Sequence, residues 1–264
     1  MRALFDLLKE PGIDALDIDG EKRIAYHRAV IDRKPMIRDV FLEFHALFFD
    51  LNRRYLEGEG AAIEIGAGVA PMRDSHPDVL SSDIVFGPHL DLVLDAQQMA
   101  LSSGSVRVVY AQNSFHHFPQ PERFLSELQR ILIPGGGAVL LEPFHGPLAS
   151  LLYKRLFRSE GFDKEFQSWE TPTTGPMNGA NQALSYIVFV RDRTRFERSF
   201  PSLQIVHSAP VGNYLRYLVS GGLNFRQLLP DAASGLLASI ERVVARCNHW
   251  LALHHVIVLK KVTA

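Results

Sequence analysis

The sequence predicts an α/β fold, a mostly parallel sheet with helices on both faces. Three observations carry that prediction. Short apolar runs that end in an acid or another polar residue recur at residues 61–65, 79–83, 91–96 and 106–112. Longer stretches with apolar residues spaced at three and four flank them, as helices would. A turn rich in glycine, Gly66, Ala67 and Gly68, directly follows the first run, which suits a backbone that passes close to a ligand.

Composition sets the outer limits. At 264 residues there is room for one large α/β domain, or for a domain with a small cap. Apolar content of 47% and charged content of 22% place the chain with ordinary globular proteins. A net charge of −1 argues against a broad nucleic-acid footprint. A single cysteine, Cys247, excludes an internal disulfide and leads us to expect a reducing, cytoplasmic setting. The first ten residues carry acids within their apolar stretch and form no signal-peptide core. No apolar run reaches the length of a membrane span, so no transmembrane segment is expected.

Residues 1–57 read as N-terminal helices. Ile24, Val30 and Ile31 form a stripe that Pro35 breaks or restarts. A second stripe follows at Ile37, Val40, Phe41, Phe44, Leu47, Phe48 and Leu51. Residues 58–142 hold the first five strands, and the glycine turn is expected to open a helix. Between Asp83 and Asp91 only Ile84–Leu90 intervene, with a turn signal at Gly87 and Pro88. Parallel neighbours ordinarily need a dozen or more connecting residues. The second crossover helix is therefore expected to be missing or reduced to a turn, with Ile84 or Val85 walling the ligand. Residues 143–179 read as a cap, helical over 148–157 and rich in turn residues to 176. Residues 180–264 return to the main domain. They read as a helix over 180–198, a strand at 203–207, a helix near 231–247 and a strand at 251–260, with the two strands antiparallel.

Glu64 ends the first strand, just before the glycine turn. A loop built to receive phosphate would carry no acid there. Asp83 ends the second strand 17 residues after Gly66 (83 − 66), near the spacing of roughly 20 at which an acid meets a ribose diol. A cationic, sugar-bearing ligand suits this pair, and S-adenosylmethionine suits it better than a nucleotide phosphate.

Three later features extend the pattern: Asp95 with Ala96, the run from Val106 to Phe118 with His116 and His117, and Pro134 followed by three glycines. In that order, over roughly residues 58–142, the chain resembles the class I S-adenosylmethionine-dependent methyltransferases, in the broad group whose fourth strand ends "LHHL". The resemblance implies a Rossmann-like seven-stranded sheet of order 3-2-1-4-5-7-6 with a helical cap. It also implies S-adenosylmethionine as cofactor, and N-terminal helices lying over the ligand mouth. Glu64 would face the methionine end, and Gly66, Ala67 and Gly68 would supply close backbone. Ala70 stands where many relatives carry a third glycine. Asp83 would hold the ribose, Ile84 would lie against adenine, and Asp95 and Ala96 would meet its edge. Ala111 and Gln112 would meet the sulfonium-bearing chain.

Methyl transfer is chiefly a matter of alignment, and a base is needed only where the acceptor must lose a proton. The candidate bases are His117 and His145, while His116 is expected to pack or bond locally. No metal site is expected, because adjacent histidines do not converge easily. His254 and His255 read as structural, on opposite faces of a strand. The run from Arg191 to Arg198 reads as a solvated helix end. No Asn-Pro-Pro-Tyr or Asp-Pro-Pro-Tyr follows the fourth strand, which argues against methylation of DNA bases. The acceptor is expected to be a small molecule, a lipid or a glycan-linked group. A nicotinamide-dependent oxidoreductase, or a binding protein that has lost transfer, stands as the alternative. The cap is expected to govern acceptor choice and to move more than the sheet.

Overall fold

A computed structural model describes residues 8–17, 20–155, 160–172, 175 and 179–263. Its core is one seven-stranded sheet of order β3-β2-β1-β4-β5-β7-β6, the order the resemblance implies. The strands are β1 (Ala61–Ile65), β2 (Val79–Asp83), β3 (Leu92–Val93), β4 (Val106–Gln112), β5 (Leu132–Pro143), β6 (Leu203–Pro210) and β7 (His254–Lys261). The first five run parallel, and β7 lies antiparallel between β5 and β6. Central strands buried on both faces read as near-continuous apolar runs. Val139 to Leu141 in β5 and Val256 to Leu259 in β7 follow that rule and are buried throughout.

Helices α1 (Glu21–Arg33) and α2 (Pro35–Tyr55) meet at Lys34. Pro35 restarts the helix at its first position, where a missing N–H costs nothing. The predicted stripe of α2 packs Ile37, Val40, Phe44 and Phe48 against Val108, Tyr110, Val139 and Val258. On the other face, α3 (Pro121–Ile131) joins the segment 184–200 over Ile63, Ile65, Val109, Ala111 and Leu140.

The glycine turn does not open a helix. Only a short 3-10 turn, Met72–Asp74, lies between β1 and β2. Pro71 and Pro77 bracket this stretch, and Val79 must already pair with Ala62. Met72 and Val79 instead pack into the α2 cluster, so α2 covers the face that a crossover helix would fill. The second crossover is a turn, as its length dictates, and β3 shrinks to two residues with Asp95 and Ala96 just beyond it.

After β5 comes α4 (Pro147–Arg155); the rest of the helix expected to 157 lies outside the described residues. The helix expected over 180–198 is broken into a turn at Leu184–Tyr186, a π-helical stretch Ile187–Arg191 and α5 (Arg193–Ser199). The break presents Asp192 to Trp169, whose Nε1–H donates to Oδ2 at 2.9 Å. Trp169 is only 1% exposed, and the Arg195 guanidinium lies 4.1 Å from its ring centre. Arg191 donates to the carbonyls of Lys164 and Phe166. The arginine run expected to be solvated therefore holds the cap segment to the core.

Strands β6 and β7 pair antiparallel but are not joined by a tight turn. Residues 211–253 lie between them and include α6 (Tyr214–Val219) and α7 (Ser234–Val243). Arg216 clamps this insertion, donating to Glu241 at 2.7 Å and to Glu43 of α2 at 2.7 Å. Among the described residues no helix is long and apolar enough to cross a membrane.

Candidate active site

The carboxyl ends of β1, β2 and β4 open into a cavity of about 560 Å³, on the edge where open α/β sheets take ligands. Glu64, Gly66, Ala67, Gly68, Asp83, Ile84, Asp95, Ala96 and Gln112 all line it. Ala111 does not; it is buried in the core beneath.

Gly66 and Gly68 take φ values of 66° and 53°, a region L side chains avoid. A Cβ on Gly66 would lie 2.3 Å from the Ser114 hydroxyl oxygen, so the turn seats directly on the loop after β4. Asp83 accepts the Gly68 N–H at 2.9 Å and the Val85 N–H at 3.0 Å, one on each carboxylate oxygen. The His89 ring lies 2.8 Å from the Gly68 carbonyl, tying the second crossover to the turn. Asp95 accepts the Gln97 N–H at 2.8 Å.

Glu64 is 2% exposed, and one of its oxygens accepts the Met72 N–H at 2.7 Å and the Ser81 hydroxyl at 2.6 Å. Burial pushes its carboxyl up to about 7, overriding those two hydrogen bonds. Gln112 Oε1 and Asn113 Oδ1 are buried without a hydrogen-bond partner among the described residues. Asn113 also holds a left-handed φ of 51°. Both residues line the cavity, so two unsatisfied acceptors stand ready for a donor such as an ammonium group.

The other side of the cavity is built around His116 and His117, on the 3-10 turn Phe115–His117 after β4. Glu142 of β5 sets this turn by accepting the N–H groups of Ser114, Phe115 and His116. It also lies 2.6 Å from His116 Nδ1. His116 Nε2 is 3.2 Å from a Glu160 oxygen, and His117 Nε2 is 3.9 Å from the same atom. Burial disfavours charge on His116, but Glu142 and then Glu160 outweigh it and push the ring up to about 10. His116 is therefore an imidazolium between two carboxylates. Burial, and then the His116 charge, pushes His117 down to about 3, so its ring is neutral. Burial opposes ionisation of Glu160, yet its bond to His116 and the nearby histidine and Arg23 charges hold it below the ordinary carboxylate range.

The adjacent histidines thus converge, contrary to expectation, with ring centres 4.3 Å apart. The cause is the Glu142 clamp, which curls the backbone so that both rings meet Glu160. Ligand atoms of His116, His117 and Glu160 lie within 4.8 Å of one another, and these three could hold a metal ion.

His145 lies outside the cavity lining, against the rings of Tyr186 and His255. His254 lines the cavity, with its ring 4.8 Å from that of Tyr217 and 5.4 Å from that of Phe44. His255 points the other way and meets the Ser185 hydroxyl at 2.8 Å. Asn113, Glu160, Tyr153, Tyr217 and His254 are among the lining residues that sequence reading misses. Glu160 sits in a turn-rich stretch where an acid reads as solvated, and His254 in an apolar strand where it reads as core.

A family model described as a methyltransferase domain matches residues 72–140, from just past the glycine turn through most of β5. No curated protein matches the chain in sequence. Among solved structures, a candidate sarcosine dimethylglycine methyltransferase from Galdieria sulphuraria superposes with a TM-score of 0.51 at 11% identity, over 92% of this chain and 99% of that one. Phosphoethanolamine N-methyltransferase 2 from Haemonchus contortus, in complex with S-adenosyl-L-methionine, gives 0.49 at 11% identity. That match covers 96% of this chain and 60% of the other. Geranyl diphosphate C-methyltransferase from Streptomyces coelicolor A3(2) gives 0.46 at 12% identity, over 93% and 86%. Identities this low speak to the fold alone.

Proposed function

We infer that this chain is a class I S-adenosylmethionine-dependent methyltransferase that methylates a small acceptor beside His117 and Glu160; its sheet order and the methyltransferase-domain match over residues 72–140 support that reading. The observation that carries this reading is one cavity with two chemically distinct sides. One side offers the glycine turn, Asp83, Asp95 and two unsatisfied amide oxygens. The other offers a neutral imidazole beside an ionised carboxylate.

S-adenosylmethionine, when bound, supplies an electrophilic methyl on a sulfonium whose leaving group needs no acid. Asp83 has lone pairs left for the ribose hydroxyls after accepting two backbone amides. Gln112 Oε1 and Asn113 Oδ1 suit the ammonium of the methionine end. Glu64 adds negative charge on that side once ionised. Ile84 and Val85 supply the apolar wall for adenine.

On the acceptor side, Glu160 and the neutral His117 accept hydrogen bonds from the acceptor's nucleophilic group and aim its lone pair at the donor methyl. His116 is a positioning residue: its charge holds Glu160 in place, and Glu142 holds His116. Tyr153 and Glu160 both come from residues 143–179, which supports reading that segment as the acceptor cap over a 58–142 donor core. A small molecule, a lipid or a glycan-linked group remains the acceptor class.

Calorimetry with S-adenosylhomocysteine and with NAD tests the donor assignment. We expect the first to bind and the second not to bind comparably; the reverse result overturns the reading. Methyl release with candidate acceptors then tests transfer itself.

A further inference from the structure

Antiparallel neighbours can be joined by two residues. Strands β6 and β7 are joined by all of residues 211–253. The first part of this insertion gives Tyr217, Leu223 and Asn224 to the lining of the cavity. The rest turns an unusual face outward.

Along α7, Leu237 is buried and Glu241 binds Arg216, so this side of the helix faces the protein. A neighbouring stripe carries Leu236, Ile240 and Val243 at i, i+4 and i+7. They are 67%, 40% and 81% exposed. A helix on a globular surface ordinarily turns only its polar residues to water, and this one also exposes an apolar stripe. Trp250, 66% exposed, follows the helix in the chain, and Leu228 and Leu229, 57% and 40% exposed, precede it.

Within residues 226–250 the exposed charges are of one sign. Arg226, Arg242 and Arg246 are exposed. The acids of residues 226–250 are Asp231 and Glu241, and both are engaged: Asp231 accepts the Met36 N–H, and Glu241 accepts from Arg216. Arg242 donates to the Ala238 carbonyl and the Ser239 hydroxyl rather than to a carboxylate.

We propose that α7, residues 245–251 and the Leu228–Leu229 loop form a surface that docks onto an anionic lipid bilayer. Apolar side chains with a tryptophan, rimmed by arginines, suit the boundary between headgroups and acyl chains. The same charge disfavours a second copy of this chain as occupant. A two-fold contact would bring this arginine-bearing surface against the same surface of the other copy. Because the insertion also contributes to the cavity wall, docking would bring the cavity near the lipid. The inference rests on the surface alone and holds whether or not methyl transfer occurs.

The test uses the whole chain, without donor, mixed with vesicles of phosphatidylcholine alone or with added phosphatidylglycerol. The chain has two tryptophans, and Trp169 is buried, so a change in emission reports on Trp250. We expect a blue shift and co-sedimentation with the anionic vesicles, and much weaker binding to phosphatidylcholine alone. Val243→Asp should weaken binding by about tenfold, as should the pair Arg242→Glu and Arg246→Glu. Thermal unfolding should stay unchanged in both, since the replaced side chains are exposed. Three results would overturn the proposal: no binding by the parent chain, equal binding by both variants, or a solution dimer that buries Trp250 and is broken by Val243→Asp.

Discussion

The backbone N–H of Gly68 donates to Asp83 at 2.9 Å, so the acid that ends β2 holds the glycine turn that follows β1. Asp83 thus shapes the loop as well as offering oxygens to a ribose. Asp83→Ala should weaken S-adenosylhomocysteine binding by about ten- to a hundredfold, the worth of a hydrogen bond to a charged group. Calorimetry measures it, and an unchanged dissociation constant would remove Asp83 from the donor site.

Gly66→Ala should destabilise the protein by about 1–3 kcal/mol. Two effects add: a φ of 66° disfavours any Cβ, and that Cβ would lie 2.3 Å from the Ser114 oxygen. Ser114→Gly in the same chain should recover the steric part only. Urea unfolding of the single and double variants separates the two effects.

Glu64 gives a pH signature. Its folded-state value of about 7 lies above the unfolded value of 4.5, so the folded chain binds more protons between them. Stability from this group is therefore lost as pH rises from about 4.5 past 7, by up to about 3 kcal/mol. A cationic donor favours the ionised acid, so donor affinity should rise over the same range. Glu64→Gln should flatten both profiles. Calorimetry near pH 7 in buffers of different ionisation enthalpy should detect proton release on donor binding by the parent chain but not by the variant.

Glu160→Gln and His117→Ala should each lower turnover by about a hundredfold or more while leaving S-adenosylhomocysteine affinity intact. A variant that lost donor affinity in parallel would place its residue on the donor side instead.

Trp169→Ala should cost about 3–5 kcal/mol, as truncation of a buried aromatic does. It would also release the hydrogen bond to Asp192. A small change in chemical denaturation would mean that the cap is not anchored there.

Strands β1, β2 and β4 and helix α2 are legible in the sequence because burial writes itself directly into apolar spacing. The acids Glu64, Asp83 and Asp95 are legible because each stands within two residues of a strand's carboxyl end. The missing helix after Gly68 is harder to see. It depends on Pro71 and Pro77 together with the need to reach Val79 in register. The meeting of His116 with His117 is invisible locally, since Glu142 sets it from 26 residues away. Glu160 is hidden for a similar reason: its partner, His116, is 44 residues distant.

The position of β7 bears on how the chain is made. Strand β5 finds its outer neighbour only in residues 254–261, and β6 pairs with nothing but that same strand. While the chain is being synthesised, the donor turn and the first five strands can already be present with an open edge at β5. Both β5 and β6 stay exposed as unpaired edges until β7 has left the ribosome. Completion of the sheet is thus a late event with a long loop to close, which favours slow folding. Until then, a molecular chaperone would find its natural footing along β5.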